Sequence, residues 1–171
     1  MWSTIAGEAA LESRLWGEAL LEESLREEIP VFSPLGEQRF ALGLETIYEG
    51  YLVHYGKPRL FAPPDDDTGL LLGDYLYAHG LVRIAAAGDV VAVSDLSELI
   101  SLSSQLRAER AHGDGPLWAA TAALLGAGRL DAARAALRLH GEPGELESAA
   151  RDAAGDEPVE RALARHAVRL R

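Results

Sequence analysis

The sequence predicts an all-α protein, a single domain folded as an antiparallel helical bundle. Three observations carry that expectation. Apolar residues recur at steps of three and four along most of the chain, no run joins strict alternation to β-branched residues, and glycines and prolines punctuate the helical stretches at short intervals. With 171 residues and 48% hydrophobic content, one sizeable core can form without disulfides or a structural metal, and disorder is disfavoured.

In chain order, the first helix is expected over about Thr4 to Glu28, rich in Ala, Leu and Glu and stopped by Pro30. A connector between Pro30 and Pro34 follows. Gly36 to Tyr55 places Phe40, Leu44, Ile47, Tyr48, Tyr51, Leu52 and Tyr55 on an amphipathic stripe. Pro58, Pro63 and Pro64 make the segment from Gly56 to Asp67 a rigid loop, because proline removes a donor and extends its predecessor. Asp67 or Thr68 caps the next helix, about Gly69 to Ala87, with Leu71, Leu72, Tyr75, Leu76, Leu81 and Ile84 inward and Gly88 as its stop. Asp89 or Val90 opens a helix to about Ala111 that turns Val91, Leu96, Leu99, Ile100, Leu102 and Leu106 inward and Glu98, Arg107, Glu109 and Arg110 outward. Shorter helices are expected over about 117–125, 130–139, 145–153 and 159–170. The thin apolar stripe of the tail (Leu163, Val168, Leu170) predicts peripheral C-terminal helices across 127–171.

The 27 Asp and Glu against 16 Lys and Arg leave a formal net charge of -11, with Lys57 the only lysine. Nucleic-acid binding is therefore not expected, since its affinity comes mostly from clustered cations. The lack of cysteine removes thiolate nucleophiles, zinc–thiolate sites and iron–sulfur clusters, and suits a reducing cytoplasm. The N-terminus lacks the basic start and unbroken apolar stretch of a signal peptide. The longest notable uncharged run, Gly115 to Gly128, is shorter than the roughly 20 residues of a membrane span. A cytoplasmic location without a transmembrane segment is the expectation.

Asp65, Asp66 and Asp67 are adjacent carboxylates that could hold a hard divalent cation, but adjacent loop residues do not converge without backbone curvature, and capping and the helix dipole account better for aspartates at a helix start. His54, His79, His112, His140 and His166 form no zinc-helix spacing. Ser94, Ser97, Ser101, Ser103 and Ser104 share a helix without a nucleophile elbow, and no phosphate-binding glycine loop is present. Gly126 to Ala133 looks like the turn and second helix start of one tetratricopeptide unit, with no second copy to stack on. No cofactor is called for.

The segment Leu44-Glu-Thr-Ile-Tyr-Glu-Gly-Tyr-Leu-Val-His54, then Gly56-Lys-Pro58, then Leu71-Leu-Gly-Asp-Tyr-Leu-Tyr-Ala78 resembles the trans-polyprenyl diphosphate synthases. In that all-α family an inward helix ends in Leu-(Ile/Val)-His-Asp-Asp, a Gly-Lys-Pro loop follows, and the next helix begins Leu-x-Gly-Asp-Tyr-Leu. Leu96 to Ile100 with Gln105, and Trp118 to Leu125, look like the family helices that come after. The resemblance spans about residues 36–126 and implies a shortened isoprenoid synthase fold for that core.

It also implies lost catalysis. Tyr55 and Gly56 stand where the family places the first two magnesium-binding aspartates, and neither can supply an anionic oxygen ligand. Gly115-Pro116-Leu117 replaces the Lys-Thr pair, the second aspartate-rich helix is missing, and Gly36-Glu-Gln-Arg39 is the nearest remnant of the basic diphosphate clamp. The chain is thus similar to the non-catalytic small subunit, component one, of heterodimeric heptaprenyl-type synthases. The resemblance implies an accessory or regulatory subunit that dimerises with a catalytic synthase, with a homodimer as the other assembly. Tyr55, Gly56 and Asp74 then outline a vestigial pocket. The alternatives are a divergent magnesium-dependent isoprenoid enzyme using Asp65, Asp66, Asp67 and Asp74, and a helical protein-interaction module around Trp118 to Leu139.

Overall fold

The computed structural model describes residues 1–170; Arg171, the last residue of the expected tail, lies outside the described residues. The protein is all-α. Its helices are α1 (Trp2–Glu12), α2 (Arg14–Glu18), α3 (Ala41–Tyr55), α4 (Asp66–Ala86), α5 (Val90–Ala108), α6 (Asp114–Ala123), α7 (Asp131–His140), α8 (Gly144–Ala154) and α9 (Asp156–Ala167), with three single-turn 3₁₀ segments between residues 23 and 40. Among the described residues there is no sheet, only isolated bridges at Leu20–Phe61 and Gly56–Leu170.

The single long first helix expected to Glu28 is corrected. Ser13 is extended (φ -148°, ψ 136°), which ends α1 and lets its side chain cap α2 by accepting from the Leu15 amide. Beyond α2 the chain runs along the 59–62 segment instead: the Leu21 amide donates to the Leu60 carbonyl, Ala62 to Ala19 and Glu27 to Arg59. Helix propensity in Leu20 to Glu28 is overridden because these backbone groups find partners on another segment.

The amphipathic reading of α3 also needs correction. Of its 15 residues only Leu42, His54 and Tyr55 escape full burial, and Glu45 and Glu49 are as buried as the leucines. Three faces of α3 meet three different neighbours. One packs on α4 at glycine contacts: a Cβ on Gly50 would fall 2.9 Å from the Gly73 carbonyl oxygen, and one on Gly80 2.9 Å from that of Gly43. A second presents Leu44, Tyr48 and Tyr51 to the main core, where Trp118 lies edge-on to both tyrosines and stacked on Phe32. The third is sealed by the 29–33 and 59–61 segments.

The C-terminal helices are not peripheral. Leu146 and Ala150 of α8 and Val159 and Ala162 of α9 are buried in the same core as Trp118. Few apolar residues suffice because each is fully covered, so a thin stripe in sequence becomes a complete contact in space. Outward exceptions occur too: Leu71 and Val91, expected inside, are exposed, and Arg107, expected outside, is mostly covered.

Candidate functional site

A cleft of about 580 Å³ opens where the α3 C-terminus, the proline loop and the start of α4 meet, walled by Val53, Phe61 and Leu70 with His54, Lys57 and Asp65 at its polar positions. Asp65 is extended and caps α4, its Oδ1 accepting from the Thr68 amide at 2.7 Å, a bond that holds its carboxyl below the ordinary value. Asp66 and Asp67 lie exposed in the first turn, where the helix dipole favours negative charge. Among the described residues no three His, Cys, Asp or Glu side chains are grouped to hold a metal ion, so the three aspartates do not converge.

His54 projects from α3 toward Gly73, and its Nε2 lies 3.3 Å from Oδ1 of the exposed Asp74. Burial lowers the His54 pKa and outweighs Asp74, which pulls the other way. Its ring packs on Tyr77, whose hydroxyl is pushed far up by burial.

Tyr55 and Gly56 face elsewhere. The Tyr55 carbonyl accepts from Arg107 Nη2 at 3.1 Å, and the Arg107 guanidinium lies 6.0 Å from the Tyr55 ring, beside a second cleft of about 350 Å³ that also contains Arg110 and His112. Gly56 is buried against the C-terminal segment: a Cβ there would sit 2.6 Å from the Arg169 carbonyl oxygen. The Lys57 amide donates to that same oxygen. His54, next to Tyr55 in the chain, links the Tyr55 and Asp74 neighbourhoods, through rings 5.5 Å apart on one side and the carboxylate on the other.

Two buried polar clusters were not singled out from the sequence. In the first, Arg59 is enclosed between the rings of Trp2 and Tyr48 and bonds Glu45 and Glu49. Glu45 Oε1 accepts from the amides of Val31 and Ser33 at 3.0 and 2.9 Å; Glu49 Oε1 accepts from those of Arg59 and Leu60, both at 2.7 Å. Two carboxylates thus fasten two loops to α3 with every oxygen partnered. The signal available in the sequence was a pair of glutamates four apart in a helix otherwise apolar on every side.

In the second, the Tyr51 hydroxyl donates to Asp114 Oδ2, the Tyr48 hydroxyl is 3.0 Å from His166 Nδ1, and His166 Nε2 lies 3.6 Å from Asp114 Oδ2. Burial opposes ionisation of Asp114, yet the contacts with His166 and Tyr51 and the nearby charge of Arg107 prevail and hold its carboxyl at about 2. Burial, aided by Asp114, drives the Tyr51 hydroxyl well above its ordinary value. Such phenols keep their protons at neutral pH, and the cluster ties α3, α6 and α9 together rather than activating a nucleophile.

No helix among the described residues is long and apolar enough to cross a membrane. Compared with known proteins, the chain matches no family model, no curated protein and no solved structure.

Proposed function

We propose that this chain is a non-catalytic accessory subunit of a trans-polyprenyl diphosphate synthase, assembling with a catalytic partner. The reading rests on the resemblance of the Gly56-Lys-Pro58 and Leu71-Leu-Gly-Asp-Tyr-Leu segments to that family. One observation carries the non-catalytic part: the two positions where the family places magnesium ligands are occupied by groups committed to packing. The Tyr55 carbonyl is held by Arg107, and Gly56 is pressed against the Arg169 backbone. Neither offers an anionic oxygen, and the free carboxylates nearest in sequence, Asp65 to Asp67, are spread around a helix cap.

The test pairs the purified chain with a full-length polyprenyl synthase encoded in the same genome and bearing both aspartate-rich motifs. Co-purification, together with a changed product chain length, supports the reading. Failure to bind or alter any such synthase removes it. Turnover of an allylic diphosphate by the chain alone with magnesium, abolished by Asp66→Ala, replaces it with the enzyme reading.

A further inference from the structure

The outer face of α4 is unlike any other exposed helix face of the molecule. Its outward residues are Leu70, Leu71, Asp74, Ala78, Val82 and Ala85, with Leu81 half-buried beside them. Leu70, Leu71 and Val82 are 55, 57 and 65% exposed. With 21 residues, α4 is about 31 Å long, and from Leu70 to Ala86 Asp74 is the one charge on this face. Arg83, the other charged side chain in that stretch, turns inward to Glu8 and Thr46. On one flank of this face Trp16 stacks on Tyr75.

Isolated surface leucines need no explanation, but a continuous apolar helix face does, because folding leaves it in water with no compensating polar group. The alanines at 78 and 85 let a second helix approach closely, while leucines and valine at either end give it ridges to interlock.

The charge around the face selects the occupant. Asp65, Asp66, Asp67 and Asp74 all sit toward its N-terminal half, and Lys57 is the one Lys or Arg lining the neighbouring cleft. In a chain with a net charge of -11, that rim repels a second acidic copy and attracts a basic border.

We infer that the outer face of α4 is the docking surface for the catalytic partner, and that it receives a helix with an apolar stripe bordered by lysine or arginine. This rests on the accessory-subunit reading and names the surface it uses. The apolar contact supplies affinity; the aspartate rim supplies orientation and a salt-dependent association rate.

The experiment measures binding of the full chain to the same-genome synthase by surface plasmon resonance, at low and high salt. Ala78→Lys combined with Val82→Lys is expected to weaken binding at least tenfold. Asp74→Lys slows association and flattens its salt dependence. Leu139→Lys, on the exposed side of α7, leaves binding unchanged. Circular dichroism of each variant matches the parent, since the substituted residues are all exposed. Synthase binding that survives the double variant overturns the α4 assignment while leaving the accessory role standing. Absence of any synthase binding overturns both. A homodimer in sedimentation equilibrium that dissociates in the double variant overturns the occupant, making it a second copy of this chain.

Discussion

Helices α3 and α4 are neighbours of similar apolar content, joined face to face through glycines, yet they stand in opposite relations to solvent. Helix α3 is enclosed on all sides and so must bury its two glutamates, whose charges are met by Arg59 and four backbone amides. Helix α4 is covered on one side only and leaves leucines, alanines and a valine in water. Burial is thus set by how many elements converge on a helix rather than by its hydrophobicity. The enclosed helix carries polar groups the fold requires, and the open one carries apolar groups the fold does not use.

The sharpest way to break this contrast is to remove the cation that makes the enclosure of α3 tolerable. Arg59→Ala leaves Glu45 and Glu49 as buried, unpaired carboxylates, and is expected to destabilise the fold by about 3–5 kcal/mol in urea denaturation. Replacing all three by apolar residues of similar volume should not recover that loss, because the amides of Val31, Ser33, Arg59 and Leu60 would then be left without acceptors. If Arg59→Ala alone were neutral, the clamp would not be what secures the loops.

Acid should loosen the same helix from its aromatic side. Asp114 is held at about 2 when folded against 3.8 for the free group, so its contribution is complete above about pH 4 and is lost as pH falls toward 2. That loss amounts to about 2 kcal/mol. Denaturation curves collected across that range should show the decline, and Asp114→Asn should flatten it at the expense of stability at neutral pH.

A smaller effect is expected on the face where the two helices meet. Gly80→Ala places a Cβ 2.4 Å from Ile47 Cγ1 and 2.9 Å from the Gly43 carbonyl oxygen. Overpacking of about 1–3 kcal/mol is partly offset by about 1 kcal/mol of helix propensity gained, so a net loss of about 1 kcal/mol is the outcome to look for by thermal melting. An Ile47→Val companion should relieve little of it, because valine removes only Cδ1, 3.2 Å from the new methyl, and keeps the γ carbon at 2.4 Å.

The smallest effect belongs to the open face. Val82→Lys should change stability by less than about 0.5 kcal/mol, because the side chain touches little of its own fold. A large destabilisation there would mean that α4 is covered within the monomer after all.

Much of the architecture could be read from the residues. The three- and four-residue spacing located α3 through α9 to within a few positions, because a helix of that length answers mainly to its own periodicity and its stop signals. The segment from Leu20 to Glu28 misled for a physical reason: its Leu, Glu and Arg favour helix locally, but its backbone pairs with the 59–62 segment, a contact that depends on where a distant loop returns. The candidate site was legible in part. A cap before α4 was visible but was expected at Asp67 or Thr68, and it falls on Asp65 because the helix starts at Asp66; the use of the Tyr55 carbonyl by Arg107 and the packing of Gly56 on Arg169 join positions 52 and 113 residues apart.

The sequence by itself determined the all-α class, the helix order and the absence of thiol chemistry, since each follows from residue identity and local spacing. Tertiary structure decided which faces close. It enclosed Glu45, Glu49 and Arg59, drew the sparse apolar residues of α8 and α9 into the core, and left Leu71 and Val82 outside. Those outcomes depend on how many surfaces converge at a point in space, which residue spacing along one helix cannot encode.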